Sequence, residues 1–318
     1  MNFLKRETNR ISGRLSRLLS ADACQTLRDG RLLKDDFLPE NIYPGVREQA
    51  LAFFKTRHIS WHQGKACVSS ILSSQVAAVN FLFPFVNQPQ ELLAVVKAFI
   101  PEATEALPIT ADRRAEETSS PFVTFEWMGK RNYLNEPKWG QRGKNATSVD
   151  ALFRFRTEHG EIRLLLVEWK YAESYQSAKV ERVSRNGTNR LQLYGPLLNQ
   201  PDSPVQPDFA SDELLVNPFY QLMRLQLLAH QMVKAGEMEA TSASVLLITP
   251  RANGELNTAI TCKPLAGVAK TIQEAWRRIV GDNRFHTIHT EDLLECIKAK
   301  TADRDWADYM TLRYGDMN

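Results

Sequence analysis

The sequence predicts a mixed α/β (α+β) chain. A helix-patterned first third gives way near residue 120 to short segments rich in β-branched and aromatic residues, and helices alternate with strands after that. Composition sets no obstacle: 43% of the 318 residues are hydrophobic and 24% charged, close to the average for folded globular proteins. The chain is long enough for one large domain or a core with an attached smaller unit.

In the first 120 residues, Ile11, Leu15, Leu18 and Leu19 recur at helical spacing, as do Leu92, Leu93, Val95, Val96 and Phe99. Ala66 to Gln90 carries no charge, but its Ser, Gln and Asn residues and Pro84 predict a buried helix rather than a membrane span. Three strands follow: Phe122 to Trp127, Ser148 to Arg156 and Ile162 to Tyr171. The three prolines of Pro201 to Asp212 mark a linker or surface loop. Asn217-Pro218 then opens a helix over Phe219 to Ala235, with an apolar face of Tyr220, Met223, Leu227, Leu228 and Met232. Ala243 to Thr249 reads as a buried fourth strand. Beyond it come a helix near Leu265 to Val280, a short strand near Phe285 to His289, and helices near Glu291 to Ala299 and Asp305 to Arg313.

The net charge of +3 is too small to identify a polyanionic partner, so local distribution matters more. Met128 to Thr147 holds Lys130, Arg131, Lys138, Arg142 and Lys144 with Tyr133 and Trp139 interleaved. Ser177 to Arg190 adds Lys179, Arg182, Arg185 and Arg190. These two basic segments flank the central hairpin and are candidate phosphate contacts. Cys24, Cys67, Cys262 and Cys296 are too far apart for a zinc clasp and read as reduced thiols. The charges between Lys5 and Arg17 leave no apolar run for a signal peptide, so a cytoplasmic location is expected and the sequons at Asn145 and Asn186 carry no meaning.

Several other chemistries lose support. His58 and His62 are four apart but lack the glutamate of a zinc protease helix, and His286 and His289 read as strand-end residues. Gly143-Lys144 is followed by Asn145 and has no glycine at 138, so it is not a phosphate loop. There is no dinucleotide-binding glycine signature and no nucleophile elbow.

The hairpin carries the most information. A two-residue turn at His159-Gly160 would put Asp150 and Glu168 on opposite faces. A three-residue turn over His159 to Glu161 instead pairs Val149 with Tyr171, Ala151 with Trp169, Phe153 with Val167 and Phe155 with Leu165, a wholly apolar face. The other face then pairs Asp150 with Lys170 and Leu152 with Glu168, gathering two carboxylates and a lysine at the end away from the turn. Such charges are costly to hold together without a partner, and a hard divalent cation supplies one.

Asp150, seventeen intervening residues and then Glu168-Trp169-Lys170 closing an apolar strand resembles the PD-(D/E)XK nuclease superfamily, most closely a restriction-endonuclease-like member. Val149 stands where the motif name has proline. The resemblance implies a restriction-endonuclease-like core of helix, three-strand meander, helix and fourth strand over residues 66–260. An N-terminal helical region (1–65) and a mostly helical C-terminal extension (261–318) flank it. It further implies a Mg²⁺-dependent deoxyribonuclease, with Mn²⁺ as substitute, in a restriction, defence or repair setting. Asp150, Glu168 and the Trp169 carbonyl would hold the metal, and Lys170 would be the catalytic lysine.

Glu126 and Glu173 are candidate further ligands, and Tyr220 and Gln221 candidates for the helical Gln/Tyr pair some members carry; Arg224 and Gln226 follow on the same helix. DNA is the expected partner, contacted by Lys130, Arg131, Arg142, Lys144, Arg182 and Arg185. A homodimer would let two such sites cut both strands. The alternative is a catalytically inactive nuclease fold that only binds DNA. Ser73, Ser74 and Gln75 to Asn80 are read mainly as polar core packing behind the site.

Overall fold

A computed structural model describes residues 1–110, 120–137, 139–140, 142, 146–175, 182–183, 187–209 and 212–317. Its centre is a six-stranded mixed sheet: β1 (Ala103–Leu107), β2 (Val123–Trp127), β3 (Val149–Thr157), β4 (Ile162–Trp169), β5 (Ser242–Thr249) and β6 (Phe285–His289). β3 runs antiparallel to β4, while β5 joins β4 and β6 joins β5 in parallel. β1 and β2 share one edge of β3: β2 covers Val149 to Phe153 and β1 covers Arg154 to Thr157.

The long helix Phe219–Lys234 supplies the crossover that a parallel β4–β5 pair requires. The helices Ser74–Leu82 and Pro89–Val96 precede the β2–β4 meander. Ser73 caps the first by accepting from the Val76 N–H. The helix expected from Leu265 begins only at Ile272, where Thr271 accepts from the Glu274 N–H and fixes the start. The helix Arg190–Leu198, capped by Asn189, was not foreseen.

β1 corrects the expectation of a helical first 120 residues. Ala-Thr-Glu-Ala-Leu has little intrinsic strand preference, and it is held extended by pairing with β3 across a bulge.

The hairpin register also differs from the expected one. Thr157 N–H donates to the Glu161 carbonyl (2.9 Å), so the loop is Glu158-His159-Gly160 rather than His159 to Glu161. Ala151 pairs with Val167, Phe153 with Leu165 and Phe155 with Arg163. The cause is Gly160, at φ +80°: a three-residue hairpin loop puts its left-handed residue last, not in the middle. The shift is by two residues, so the faces survive. Continued to the strand ends, this register sets Asp150 across from Glu168 instead of Lys170.

Each sheet face buries its own apolar layer. Phe125, Ala151, Phe153, Phe155, Leu165, Val167 and Trp169 pack with Ser74–Leu82, the N-terminal helix Phe3–Ser12 and the C-terminal helix Arg304–Tyr314. Leu152, Leu164, Leu166, Val245 and Leu247 pack against Phe219–Lys234 and Ile272–Val280. Both chain ends are built into the first layer. Arg313, 2% exposed, donates to the Asn41 and Ile71 carbonyls, and Trp306 Nε1 donates to the Asn80 carbonyl at 2.9 Å. Glu7 accepts from Tyr171 Oη (2.5 Å) and from Arg10, which pins the first helix one residue beyond Lys170.

Candidate functional site

At the end of the sheet away from the hairpin turn, three acidic residues lie in a row across neighbouring strands. Glu126 is on β2, Asp150 on β3 and Glu168 on β4, and continuing the registers puts Glu126 and Glu168 on either side of Asp150. Glu126 and Glu168 are 7% and 5% exposed, and Lys170, just past β4, is 6% exposed. Lys170 Nζ lies 2.7 Å from Glu168 Oε1. One oxygen of Asp150 accepts the Trp169 N–H at 2.6 Å.

Glu126, Asp150 and Lys170 line a cavity of about 550 Å³ between the two helical layers. Gln75 lines it from one side and Gln221 from the other, with Asp150, Lys170, Glu173 and Tyr175 between them.

Glu126 occupies a strained position inside β2, with φ +51° at a residue that is not glycine. Such a backbone costs about 1–3 kcal/mol and persists only when its surroundings fix it. Here they do. Gln75 Nε2 donates to Oε1 (2.7 Å), Ser148 Oγ donates to Oε2 (2.6 Å), and Arg142 Nε donates to the Glu126 carbonyl (3.2 Å). The local reversal of strand alternation leaves Phe125 in one apolar layer and Trp127 in the other, with the Glu126 carboxylate facing the cavity.

Electrostatics follow from three carboxylates, Glu126 and Glu168 buried and Asp150 half-buried, beside one lysine. Burial, then the charges of Glu168 and Glu126, push the Asp150 carboxyl well above the usual carboxylate range. Lys170 and the Trp169 N–H act the other way without winning. Burial also raises Glu126, helped by Glu168 and opposed by its bonds from Ser148 and Gln75. Burial alone would lower the Lys170 ammonium, but Glu168, Tyr175, Glu173 and Asp150 hold it well above its ordinary value. Fully ionised, the three carboxylates would outnumber the lysine, and it is this that burial and mutual repulsion oppose by shifting Asp150 and Glu126 toward their neutral forms.

Of the remaining expected site residues, Glu173 lines the cavity and accepts the Tyr171 N–H at 2.6 Å, and Gln221 lines it while accepting from Tyr175 Oη at 3.2 Å. Tyr220 belongs to a neighbouring network: its hydroxyl meets Tyr194 Oη (3.4 Å), and the Arg190 and Arg224 guanidiniums lie over its ring. Arg224 also contacts Thr147 Oγ1 (3.2 Å) there, while Gln226 lines a different cavity.

Among the basic candidates, Lys130 and Arg131 are exposed, and Arg182 is exposed while paired with Asp212. Lys144 and Arg185, like Lys138 and Lys179, lie outside the described residues. Arg142 requires correction as a nucleic-acid contact. It is 1% exposed, bonded to Thr124 Oγ1 (2.7 Å) and to the carbonyls of Phe125 and Glu126, and stacked over Trp127, so it braces β2 from inside. Replacing Arg142 with alanine orphans these buried acceptors and is expected to cost about 3 kcal/mol or more in urea unfolding. Lys130→Ala or Arg131→Ala is expected to change stability by less than about 0.5 kcal/mol.

Sequence reasoning missed Ser148 and Tyr175 and undervalued Gln75. Ser148 was within reach, because it shares strand parity with Asp150. Tyr175 follows the strand in irregular chain, where no periodicity marks a residue as facing the site.

An Asp and a Glu-x-Lys on adjacent antiparallel strands, followed by a helix and a parallel strand, are compatible with the restriction-endonuclease-like class. The family model described as "Restriction Endonuclease associating with ARP" matches residues 19–315, nearly the whole chain, so the chain belongs to that family. No curated protein and no solved structure matches it.

Proposed function

We propose that the protein is a Mg²⁺-dependent deoxyribonuclease that hydrolyses DNA phosphodiester bonds with a restriction-endonuclease-like core. The observation that carries this reading is the row of Glu126, Asp150 and Glu168 across neighbouring strands, with Glu126, Asp150 and Lys170 lining a cavity and the buried Glu168 held against Lys170. Membership of a restriction-endonuclease family supports it independently.

The residues fit a hard divalent cation in charge and donor type: carboxylate oxygens in excess over their one lysine, held at the edge of a cavity large enough for ligand and water. Among the described residues no three acidic, His or Cys side chains converge in metal-ligand geometry. Each carboxylate is drawn to a protein donor instead: Glu126 to Gln75 and Ser148, Asp150 to the Trp169 N–H, Glu168 to Lys170. A set of two carboxylates and a carbonyl suits Mg²⁺, which keeps several of its waters. Asp150, Glu168 and the Trp169 carbonyl would hold the ion, with Glu126 beside them. In an extended strand a residue's N–H and C=O leave on the same edge, so the carbonyl of Trp169 is directed to the side on which its N–H meets Asp150.

When bound, such an ion makes a water nucleophilic near neutral pH and stabilises charge on the phosphate. Lys170 keeps its proton, donates to the phosphate oxygen on which charge grows, and orients the attacking water. Tyr175 and Gln221 narrow the cavity beside it. Lys130 and Arg131, exposed on the β2–β3 connection, contribute phosphate contacts that position the strand without reading its sequence.

The internal engagement of all three carboxylates favours a second reading, a nuclease fold that binds DNA without cutting it. One experiment separates the two: supercoiled plasmid incubated with the protein in Mg²⁺, in Mn²⁺ and in chelator. Metal-dependent relaxation or linearisation by the wild type, absent in Asp150→Ala, is expected. Retarded but intact plasmid under every metal condition would establish the binding-only reading.

A further inference from the structure

The cavity beside Asp150 and Lys170 has a wall that the sheet does not build. On the Gln75 side it is lined by Arg31, His62, Val68, Ser70 and Leu72, all contributed by the N-terminal part of the chain. The sheet side brings Glu126, Asp150 and Glu173, whereas this wall brings no acidic residue among those described, and Arg31 is its one lysine or arginine.

The backbone fixes where Arg31 stands. Asp29 and Gly30 both take left-handed φ, +52° and +66°, the tight reversal that an Asp-Gly pair favours, and the Arg31 N–H closes it on the Arg28 carbonyl at 3.0 Å. The Ile71 N–H donates to the Arg31 carbonyl and the Leu33 N–H to the Ser69 carbonyl, both at 2.9 Å. These bonds stitch the turn to the segment that continues along the cavity wall.

The side chain of Arg31, by contrast, is unengaged. The residue is half-buried, yet it makes no side-chain hydrogen bond, ion pair or ring contact among the described residues. Every other buried or half-buried arginine among them has such a partner, as Arg10 has Glu7, Arg47 the Ile42 carbonyl and Arg57 the Phe53 ring. A charge partly withdrawn from water is costly without a counter-charge. A guanidinium so placed offers a planar fork of donors that matches the oxygens of a phosphate.

We propose that Arg31 binds a phosphate of the DNA strand lying in the carboxylate cavity, so that the N-terminal region completes the substrate site instead of only bracing the core. The proposal rests on that cavity being the DNA site. Lys170, held against Glu168, meets the reacting phosphate, while Arg31, on the wall and outside the row of acids, meets a neighbouring one. Its contact is therefore present before the reaction begins and positions the strand without reading its sequence.

The test is anisotropy titration of a labelled DNA duplex with the full-length protein in Ca²⁺, a hard cation with oxygen ligands, alongside plasmid cleavage in Mg²⁺. Arg31→Ala is expected to bind about tenfold more weakly and to lower the slope of log affinity against log salt by about one. Its KM should rise by a similar factor with kcat nearly unchanged. Arg31→Lys keeps the charge but not the fork, and is expected to bind more weakly than the wild type while keeping its salt slope. Arg28→Ala removes an equal charge from the exposed side of the same turn, and its affinity is expected to stay close to that of the wild type. The Arg31 side chain has no partner to lose, so melting temperatures should agree to within about a degree, separating lost binding from lost folding. A wild type that does not bind the duplex overturns the proposal. So does an Arg31→Ala protein of unchanged affinity, an equal loss in Arg28→Ala, or a fall confined to kcat. Duplex binding that depends on Arg31 in a protein that never cuts would sustain this inference and remove the nuclease reading.

Discussion

Lys170→Ala is expected to lower the rate of plasmid cleavage by roughly 10³-fold, the scale set by removing a positioned acid–base or charge-stabilising group. The same substitution carries a stability cost, because Lys170 is the lysine at 2.7 Å from a buried glutamate in a site that already holds two further carboxylates. Breaking a buried pair from one side costs about 3–5 kcal/mol. Urea unfolding in chelator should therefore show a large loss for Lys170→Ala, and added Mg²⁺ should restore much of it by supplying the missing positive charge. A variant that unfolds at the wild-type urea concentration in chelator would show that Lys170 does not offset the carboxylates, and the charge argument for the site would fail with it.

What the sequence made legible was parity, and what it withheld was register and irregular structure. Alternating apolar residues required Asp150, Glu168 and Lys170 to share one face of the hairpin under any odd-length loop, and they do. Their pairing depended on which loop residue takes the left-handed conformation; Gly160 does so at the end of the loop, moving Asp150 from Lys170 to Glu168. Glu126 was found only as a nearby acid, since nothing in Phe-Val-Thr-Phe-Glu-Trp announces a positive φ. That conformation is imposed by Gln75, Ser148 and Arg142 from three separate segments. β1 was hidden because Ala-Thr-Glu-Ala-Leu pairs with β3 through tertiary context rather than propensity. Arg142 was misplaced because charge in a loop reads as exposure, whereas its guanidinium is consumed by β2 carbonyls and Trp127.

Asp150→Asn should also abolish cleavage, yet with the opposite effect on the metal-free protein. The folded Asp150 carboxyl titrates well above the usual range, near 3.9 for a free aspartate, because burial and two neighbouring carboxylates penalise its charge. A group whose folded value is raised contributes stability fully below the unfolded value and loses it as pH rises through the folded value. The metal-free wild type should accordingly lose stability as pH climbs from about 4 toward neutrality. Asparagine keeps an oxygen for the Trp169 N–H and carries no charge. The variant should thus be more stable than the wild type by about 1–2 kcal/mol at neutral pH in chelator, a rise of a few degrees in Tm. Mg²⁺ reverses the comparison: it should raise the Tm of the wild type, increasingly so at higher pH where metal binding no longer has to displace a proton, and leave Asp150→Asn nearly unmoved. Thermal melts of both proteins, with and without Mg²⁺ across the acidic to neutral range, measure all of this. An equal Mg²⁺ response in the two would remove Asp150 from the metal site, because the stabilisation would then come from an ion bound elsewhere.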